Sequence, residues 1–207
     1  MYKLYSVKAW GSLAPHMLLE SLGVPHEVVW MSPAQVKEPA FRKLSPLGFI
    51  PAMELPDGRV IVESAALMAH LTTAHPDRGL APQPGSPAHG EYLMWLVFLS
   101  ANVYGSINLA GHGQQYALNA EAEAHMAQAA GREERRLWEI IERHLAARGP
   151  CLLGAEISAA DYYLFMIALW SKPSRAALFA ACPHVAALCD KVGGLPHLQR
   201  VFAAHGL

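Results

Sequence analysis

The segment 49–64, FIPAMELPDGRVIVES, constrains the fold more than any other stretch of the sequence. Asp57 and Gly58 lie between two apolar runs, and an Asp-Gly pair in that setting predicts a tight β-hairpin. Pro51 opens the first of these runs, which fits a strand start because proline has no N–H group to donate to a sheet. Ser64 begins an amphipathic run, so the hairpin is expected to lead directly into a helix.

The first part of the chain alternates strand and helix signals. A short run, KLYSV, is followed by a helix that begins at Ser12 and stops at Gly23, and then by a second strand, HEVVWM. With a short helix around residues 40–44 and the hairpin, the predicted order is β-α-β-α-β-β-α. Two strands joined through a helix form a right-handed parallel unit, and the hairpin adds antiparallel pairing. This order predicts a small α/β domain over residues 1–76.

The second part of the chain predicts helices only. The run HPDRGLAPQPGSPAHG is rich in proline, glycine and polar residues, which indicates a linker over residues 77–90. Strand signals fade after it, and we predict an all-α domain over residues 91–207. Ser158 and Asp161 have the spacing of a capping box, and the helix that they begin is apolar nearly all round. That helix is expected to be central to the second core.

Composition and charge argue against several function classes. The net charge of −1, from 16 basic and 17 acidic residues, offers no basic surface for a nucleic acid. The three cysteines lie far apart and the eleven histidines show no paired-ligand motif, so no metal is predicted. Free thiols indicate a reducing compartment, and we expect a cytoplasmic protein. No signal-peptide pattern is visible, and the apolar runs fall short of the ~20 residues that cross a bilayer, so no membrane partner is expected.

Three segments together resemble the cytosolic glutathione transferases. SPLGFIPAMELPDGRVIVESAALMAHL is similar to the family's glutathione-site segment, and LLGAEISAADYYL is similar to the capping-box segment of its helical domain. LYSVKAWGSLAPHMLLESLGVPHEVV looks like the first strand and helix of the bacterial beta-class members. The resemblance covers essentially the whole chain. It implies a thioredoxin-like N-terminal domain joined to a helical domain, paired as a homodimer, with glutathione as co-substrate and an acceptor pocket between the domains.

The resemblance also assigns glutathione-binding residues. In the family the residue before a cis-proline pairs with the glutathione backbone, which here implies a cis Ile50–Pro51 bond. Glu63–Ser64 fits the γ-glutamyl end, because a helix N-terminus with a serine hydroxyl suits a carboxylate and a glutamate accepts from an ammonium. Spacing alone favours a simple helix cap at this place, and it is the resemblance that favours binding. Lys37 is the candidate for the glycyl carboxylate, with Lys43 as its rival, and an ordinary surface lysine is the alternative role for each.

Two hydroxyl groups are the main candidates for activating the glutathione thiol. Beta-class members carry a cysteine in the pattern A-C-S-L-A-P-H, and this chain reads W-G-S-L-A-P-H, so Gly11 stands where the cysteine would be. Chemistry through that cysteine is therefore not expected. Hydroxyl donors can activate the thiol because they favour the thiolate. Ser12, at the helix start, is placed before Tyr5, at the end of the first strand, because this turn most resembles the serine- and cysteine-using classes, and Ser6 is third. An ordinary N-cap is the alternative role for Ser12.

The acceptor pocket is expected to include Trp10, Asn102 and Tyr104. The beta class has His-Lys where this chain has Tyr104-Gly105, and a tyrosine can donate to the negative charge that develops on an electrophile. Aromatic residues at helical spacing, such as Trp95, are more simply explained as core.

The predicted function is that of a glutathione transferase, which presents the glutathione thiolate to an electrophilic small molecule in detoxification. Two alternatives remain open: a glutathione-dependent isomerase on the same fold, and a non-catalytic binding or regulatory protein. Retention of Pro51 and Glu63–Ser64 argues against the second alternative, because an interaction module needs no glutathione pocket. The absence of the class cysteine argues for the non-catalytic alternative.

Overall fold

Four strands form one sheet in the computed structural model, which describes residues 1–207. They are β1 (Tyr2–Ser6), β2 (His26–Trp30), β3 (Ala52–Glu54) and β4 (Val60–Val62), in the order β2-β1-β3-β4 across the sheet. β1 and β2 are parallel, whereas β3 is antiparallel to both β1 and β4. The predicted parallel unit and the predicted hairpin are both confirmed.

Eleven α-helices account for most of the remaining chain. α2 and α3 are four-residue helices between β2 and β3, where the sequence predicted one short helix. A π-helical segment, Phe98–Tyr104, joins α5 to α6. The α-helices are α1 (Leu13–Leu22), α2 (Pro33–Val36), α3 (Pro39–Arg42), α4 (Ser64–Ala74), α5 (Pro87–Val97), α6 (Gly105–His112), α7 (Ala120–Arg148), α8 (Ala159–Ala168), α9 (Arg175–Ala181), α10 (Pro183–Gly193) and α11 (Gln199–His205).

The chain divides into two compact units. The first comprises Met1–His89 and Gly193–Leu207, and the second comprises Gly90–Val192. Residues 193–207, which the sequence analysis assigned to the helical domain, therefore lie in the first unit. The reason is tertiary packing, because His205 is buried against the turn that follows β1 and against α1. In addition, α5 begins at Pro87, inside the predicted linker.

The side chains of β1 alternate between a fully buried face and a partly buried face of the sheet. Leu4 is fully buried together with Leu13 of α1. Tyr5 points to the opposite face because side chains alternate along a strand, and it packs in a cluster with Phe41 and Ile50. Helices on one face and the α2–α3 segment on the other thus enclose a small mixed sheet, the thioredoxin-like arrangement that the resemblance implied.

The second unit is all-helical and is organised around α8, every residue of which is buried. Its start is fixed by Asp161, whose carboxylate accepts hydrogen bonds from the N–H of Ser158 (2.7 Å), the Ser158 hydroxyl (2.8 Å) and the N–H of Leu152 (2.8 Å). Burial raises the pKa of this carboxyl group, while the three donors oppose that shift. The predicted reach of Asp161 back to Ser158 and the predicted central helix are confirmed.

One helical stretch is long enough and apolar enough to cross a membrane. It runs over Pro87–Gln115 and includes α5, the π-helical segment and α6. The apolar runs within this stretch are individually too short to span a bilayer, and residues 98–104 join them into one continuous helical stretch. Length and composition are the only grounds for this assignment, and a single stretch of this kind is weak evidence for a membrane span.

Candidate active site

Three chain segments meet at one end of the sheet. Tyr5 of β1 pairs with Ala52 of β3, and Ala52 pairs with Val62 of β4. Continued by one residue, this antiparallel register sets Pro51 between the end of β1 and Glu63. Because β1 and β4 both end here and lead into α1 and α4, two helix N-termini lie at the same end of the sheet. Helix N-termini carry unpaired N–H groups and a positive partial charge, which favours an anionic ligand.

The Ile50–Pro51 peptide bond is cis, as the resemblance implied. The Ile50 side chain is buried, and its main-chain N–H and C=O groups make no hydrogen bond within the chain. The loop before it is held by Ser45, whose hydroxyl donates to the Phe49 carbonyl over 2.9 Å. A residue beside a sheet whose main-chain groups are unpaired can accept a peptide backbone as an added strand.

Glu63 and Ser64 lie directly opposite this residue pair, where β4 passes into α4. Glu63 is exposed and has φ of 71°, a left-handed conformation that non-glycine residues rarely adopt. Strained residues of this kind cluster at ligand sites, where the surrounding structure holds them. The Glu63 carboxylate makes no hydrogen bond within the chain, and Ser64 is buried in the first turn of α4. The structure therefore brings both predicted residues to the same end of the sheet as Pro51.

The predicted lysines lie at the ends of two short helices. Lys37 and Lys43 are both exposed, at the C-termini of α2 and α3 respectively. A third basic side chain, Arg42, was not considered in the sequence analysis. It lies beside Gly48, where a methyl group on the glycine would come within 3.4 Å of Arg42 Nε. Arg42 is thus next to the loop that leads to Ile50, and no local pattern in the sequence indicates this.

The β1–α1 turn, residues Val7–Ser12, is a compact loop with one left-handed residue. Ala9 has φ of 55°. The N–H of Trp10 donates to the Val7 carbonyl over 3.2 Å, and the N–H of Leu13 donates to the Trp10 carbonyl over 3.0 Å. These bonds leave the N–H groups of Gly11 and Ser12 without an acceptor in the chain. Lys8 and Trp10 are the exposed residues of the turn, and Trp10 is 40% exposed.

Ser12 occupies the N-cap position of α1, but its hydroxyl does not cap the helix. The hydroxyl lies 2.8 Å from the Ser6 hydroxyl and donates to the Val7 carbonyl over 3.3 Å, and the residue has no exposed surface. Its hydrogen-bonding capacity is thus directed inward. Tyr5 differs, because it is half-buried against Phe41, with ring centroids 5.8 Å apart, and its hydroxyl has no partner in the chain.

A buried histidine pair lies behind this turn, and the sequence analysis missed it. His16 Nδ1 is 3.0 Å from His205 Nε2, and the N–H of Ala9 donates to His205 Nδ1 over 3.0 Å. Burial, with a contribution from His26, lowers the pKa of His16 to about 4. Burial, His16 and Lys8 lower the pKa of His205 to about 3. Because 189 residues separate the two histidines, no local signal could have indicated the contact.

The residues predicted for the acceptor pocket are divided between the two units. Trp10 belongs to the first unit, whereas Asn102 and Tyr104 belong to the second. Asn102 is exposed, and the ring of Tyr104 lies 4.9 Å from that of Trp170 at an angle of 33°. Both second-unit residues lie in the π-helical segment, and such segments occur frequently at functional sites.

The chain's own thiols all lie in the second unit. Cys151, Cys182 and Cys189 are free and buried. Burial is the main cause that raises the pKa of Cys182 to about 11 and that of Cys189 to about 12, and it also raises the pKa of Cys151. A thiol must ionise to act as a nucleophile, so none of the three is suited to that role. The structure contains no group of three or more His, Cys, Asp or Glu side chains that could hold a metal ion.

Comparison with known proteins agrees with this arrangement. Residues 12–74 match the sequence profile described as Glutathione S-transferase, N-terminal domain. Residues 87–196, more than half of the chain, match the profile described as Glutathione S-transferase, C-terminal domain. The chain belongs to the glutathione S-transferase family.

Individual relatives cover nearly all of this family member. The uncharacterized GST-like protein YncG of Escherichia coli K12 is 26% identical to it over 97% of each chain. A sphingomonad glutathione S-transferase solved in complex with glutathione is 28% identical over 99% of each chain, with a TM-score of 0.83. BphK, a bacterial GST solved in a ternary complex, is also 28% identical, over 99% of this chain and 100% of its own, with a TM-score of 0.85. These relatives support a transferase enzyme with the two-domain fold.

Proposed function

We propose that the chain binds glutathione at the end of the sheet where β1, β3 and β4 meet, and that it presents the glutathione thiolate to an electrophilic small molecule. The observation that carries this proposal is the register that brings Ile50–Pro51 beside Glu63–Ser64, with two helix N-termini at the same edge. The structure of a sphingomonad relative with bound glutathione supports the ligand.

Each part of glutathione has a complementary group at this site. The extended backbone of the tripeptide pairs with the main chain of Ile50, which has no partner in the free chain. The γ-glutamyl carboxylate lies at the N-terminus of α4 beside Ser64, and the ammonium is bound by Glu63. The glycyl carboxylate at the other end is bound by Lys37 or by Arg42, with Lys43 as a further basic side chain.

Thiol activation requires a donor that reaches the sulfur. The inward-directed hydroxyl of Ser12 and the unpartnered hydroxyl of Tyr5 support Tyr5 as the donor, the reverse of the order favoured by the sequence. The donor stabilises the thiolate after the thiol proton passes to solvent. A sulfur lone pair then forms a bond to the electrophilic carbon, and the leaving group departs with its bonding electrons.

The acceptor is an electrophilic small molecule, Trp10 is its proposed contact in the first unit, and the role is detoxification. The homodimer and the cytoplasmic location are part of this proposal, and light scattering of the purified protein tests the first. The other candidate, a non-catalytic binding protein, is disfavoured by the unpaired Ile50 main chain and the strained Glu63, which such a role does not require.

Calorimetric titration with glutathione tests the binding assignment. Glu63→Gln removes the partner of the ammonium, and Ser64→Ala removes the hydroxyl from the carboxylate site. Each change is expected to weaken binding about tenfold or more, the effect of losing a hydrogen bond to a charged group. Glu27→Gln is the matched control, because Glu27 is exposed on β2 and lies outside the site. Unchanged affinity in both site variants would remove Glu63 and Ser64 from the site.

A further inference from the structure

The last turn of α11 is hydrogen-bonded to the turn that leaves the first strand. His205 ends α11, and its Nδ1 accepts the N–H of Ala9 over 3.0 Å. Its Nε2 lies 3.0 Å from Nδ1 of His16 in α1. All three residues belong to the first unit, although His205 is 196 residues from Ala9 along the chain. The end of the chain thus contacts the β1–α1 turn directly.

The two hydrogen bonds fix the protonation state of both imidazoles. The Ala9 N–H can only donate, so Nδ1 of His205 must hold a lone pair. A neutral imidazole then carries its proton on Nε2, which donates to Nδ1 of His16. His16 in turn carries its proton on its own Nε2. The relay runs in one direction, from Ala9 to His205 and from His205 to His16, and it requires both rings to be neutral.

The surroundings of the pair favour this neutral state. His16 is 7% exposed and His205 is 2% exposed, and the ring of Trp30 lies 6.0 Å from the first and 5.0 Å from the second. The titratable groups that face the pair are basic: the ring of His26 lies 5.8 Å from that of His16, and Lys8 acts on His205. The carboxylate of Glu20 is paired with His26, at 3.9 Å, and neither His16 nor His205 forms an ion pair with a carboxylate. No acidic partner therefore stabilises an imidazolium.

The residue that His205 contacts is the one left-handed residue of the turn. Ala9 has φ of 55°, which a residue with a Cβ atom adopts only when its surroundings impose it. The turn conformation aims the unpaired N–H groups of Gly11 and Ser12, and it places Trp10 on the surface. A hydrogen bond to the Ala9 N–H is therefore well placed to hold the strained residue.

We propose that His205 is a positioning residue for the thiol site: it holds the β1–α1 turn in its strained conformation by accepting the Ala9 N–H. This inference rests on the proposed function, because the turn is a thiol site only if glutathione binds beside it. His16 supports His205 by accepting its Nε2 proton, which keeps Nδ1 free to accept from Ala9.

Three substitutions at one position separate the two hydrogen bonds of His205. In His205→Asn the side-chain oxygen occupies the place of Nδ1 and can accept from Ala9. In His205→Gln the amide lies one bond further out, near the place of Nε2, so it reaches His16 but not Ala9. His205→Leu has neither contact. His197→Asn is the matched control, because exposed His197 lies 2.9 Å from the Ser21 hydroxyl of α1 and does not touch the turn.

Two measurements distinguish positioning from general stabilisation. The first is amide hydrogen exchange of Ala9, which is expected to become about tenfold faster in the Gln and Leu variants, as loss of one buried hydrogen bond predicts. The second is the pKa of the bound glutathione thiol, which is expected to rise by about one unit in the same two variants. His205→Asn and His197→Asn should match the wild-type protein in both measurements.

The outcomes separate this inference from the proposed function. If His205→Gln keeps wild-type Ala9 exchange and a wild-type thiol pKa, or if His205→Asn behaves like His205→Leu, the contact does not position the turn and the inference is overturned. If the wild-type protein itself leaves the glutathione thiol unshifted, the proposed function fails. Ala9 exchange then still decides whether His205 holds the turn.

Discussion

The buried pair of His16 and His205 predicts that the protein loses stability as the pH falls below the ordinary histidine value of 6.5. The folded pKa values are about 4 and about 3, so between these values and 6.5 the unfolded chain binds more protons than the folded chain. The free energy of unfolding therefore decreases with decreasing pH. The contribution of the neutral histidine pair to the free energy of unfolding is fully present above pH 6.5 and is lost as the pH falls through the folded pKa values.

The magnitude follows from linkage. Each pKa unit corresponds to about 1.4 kcal/mol, so each histidine loses about 2 kcal/mol between about pH 7.5 and about pH 5. Together they lose about 4 kcal/mol, a large part of the roughly 5–15 kcal/mol that stabilises a typical domain. The lowered pKa of His70, caused mainly by burial, acts in the same direction.

Urea denaturation at a series of pH values measures the effect, and the double variant His16→Asn/His205→Asn isolates it. Asparagine does not titrate, so the double variant is expected to be less stable at neutral pH but to show a shallower pH dependence by about 4 kcal/mol over that range. His197→Asn controls for the removal of an exposed histidine from the same segment. Equal pH dependence in the wild-type protein and the double variant would refute the reasoning, because the pair would then not be held neutral by the fold.

Two further predictions concern the thiol donor and the second core. Tyr5→Phe is expected to raise the pKa of the bound glutathione thiol by about one unit and to lower activity about tenfold, whereas Ser12→Ala should keep the thiol pKa, because its hydroxyl is directed inward. The reverse result in ultraviolet thiolate titrations would return the role to Ser12. Asp161→Asn is expected to destabilise the fold by roughly 2–4 kcal/mol, because an NH₂ group replaces an oxygen that accepts from Ser158, and this is measured by urea denaturation. Asp190→Asn, on the exposed side of α10, should change stability by less than ~0.5 kcal/mol, and an equal loss in both variants would contradict the account.

Features with a local cause could be predicted from the sequence. The hairpin needs only an Asp-Gly pair between apolar runs, and Asp161 is three residues from the backbone group that it reaches. The π-helical segment is an exception, because nothing in the apolar run over 87–115 indicated where the helical geometry changes.

Features that depend on contacts between different elements could not be predicted from local sequence patterns. Ser12 was correctly placed at the start of α1, but the orientation of its hydroxyl depends on Ser6, which lies on a different element. The contact of His205 with Ala9 joins the two ends of the chain, and the same packing places residues 193–207 in the first unit.

The central claim is that the site ionises the glutathione thiol without a cysteine of its own. Ultraviolet thiolate absorbance of the wild-type protein saturated with glutathione, recorded across pH, tests it most directly. The account predicts that the bound thiol ionises at least one unit below the value of ~8.5 for a free thiol. A bound thiol that ionises at the free value, or glutathione that does not bind, would contradict the account and would favour a non-catalytic role for the fold.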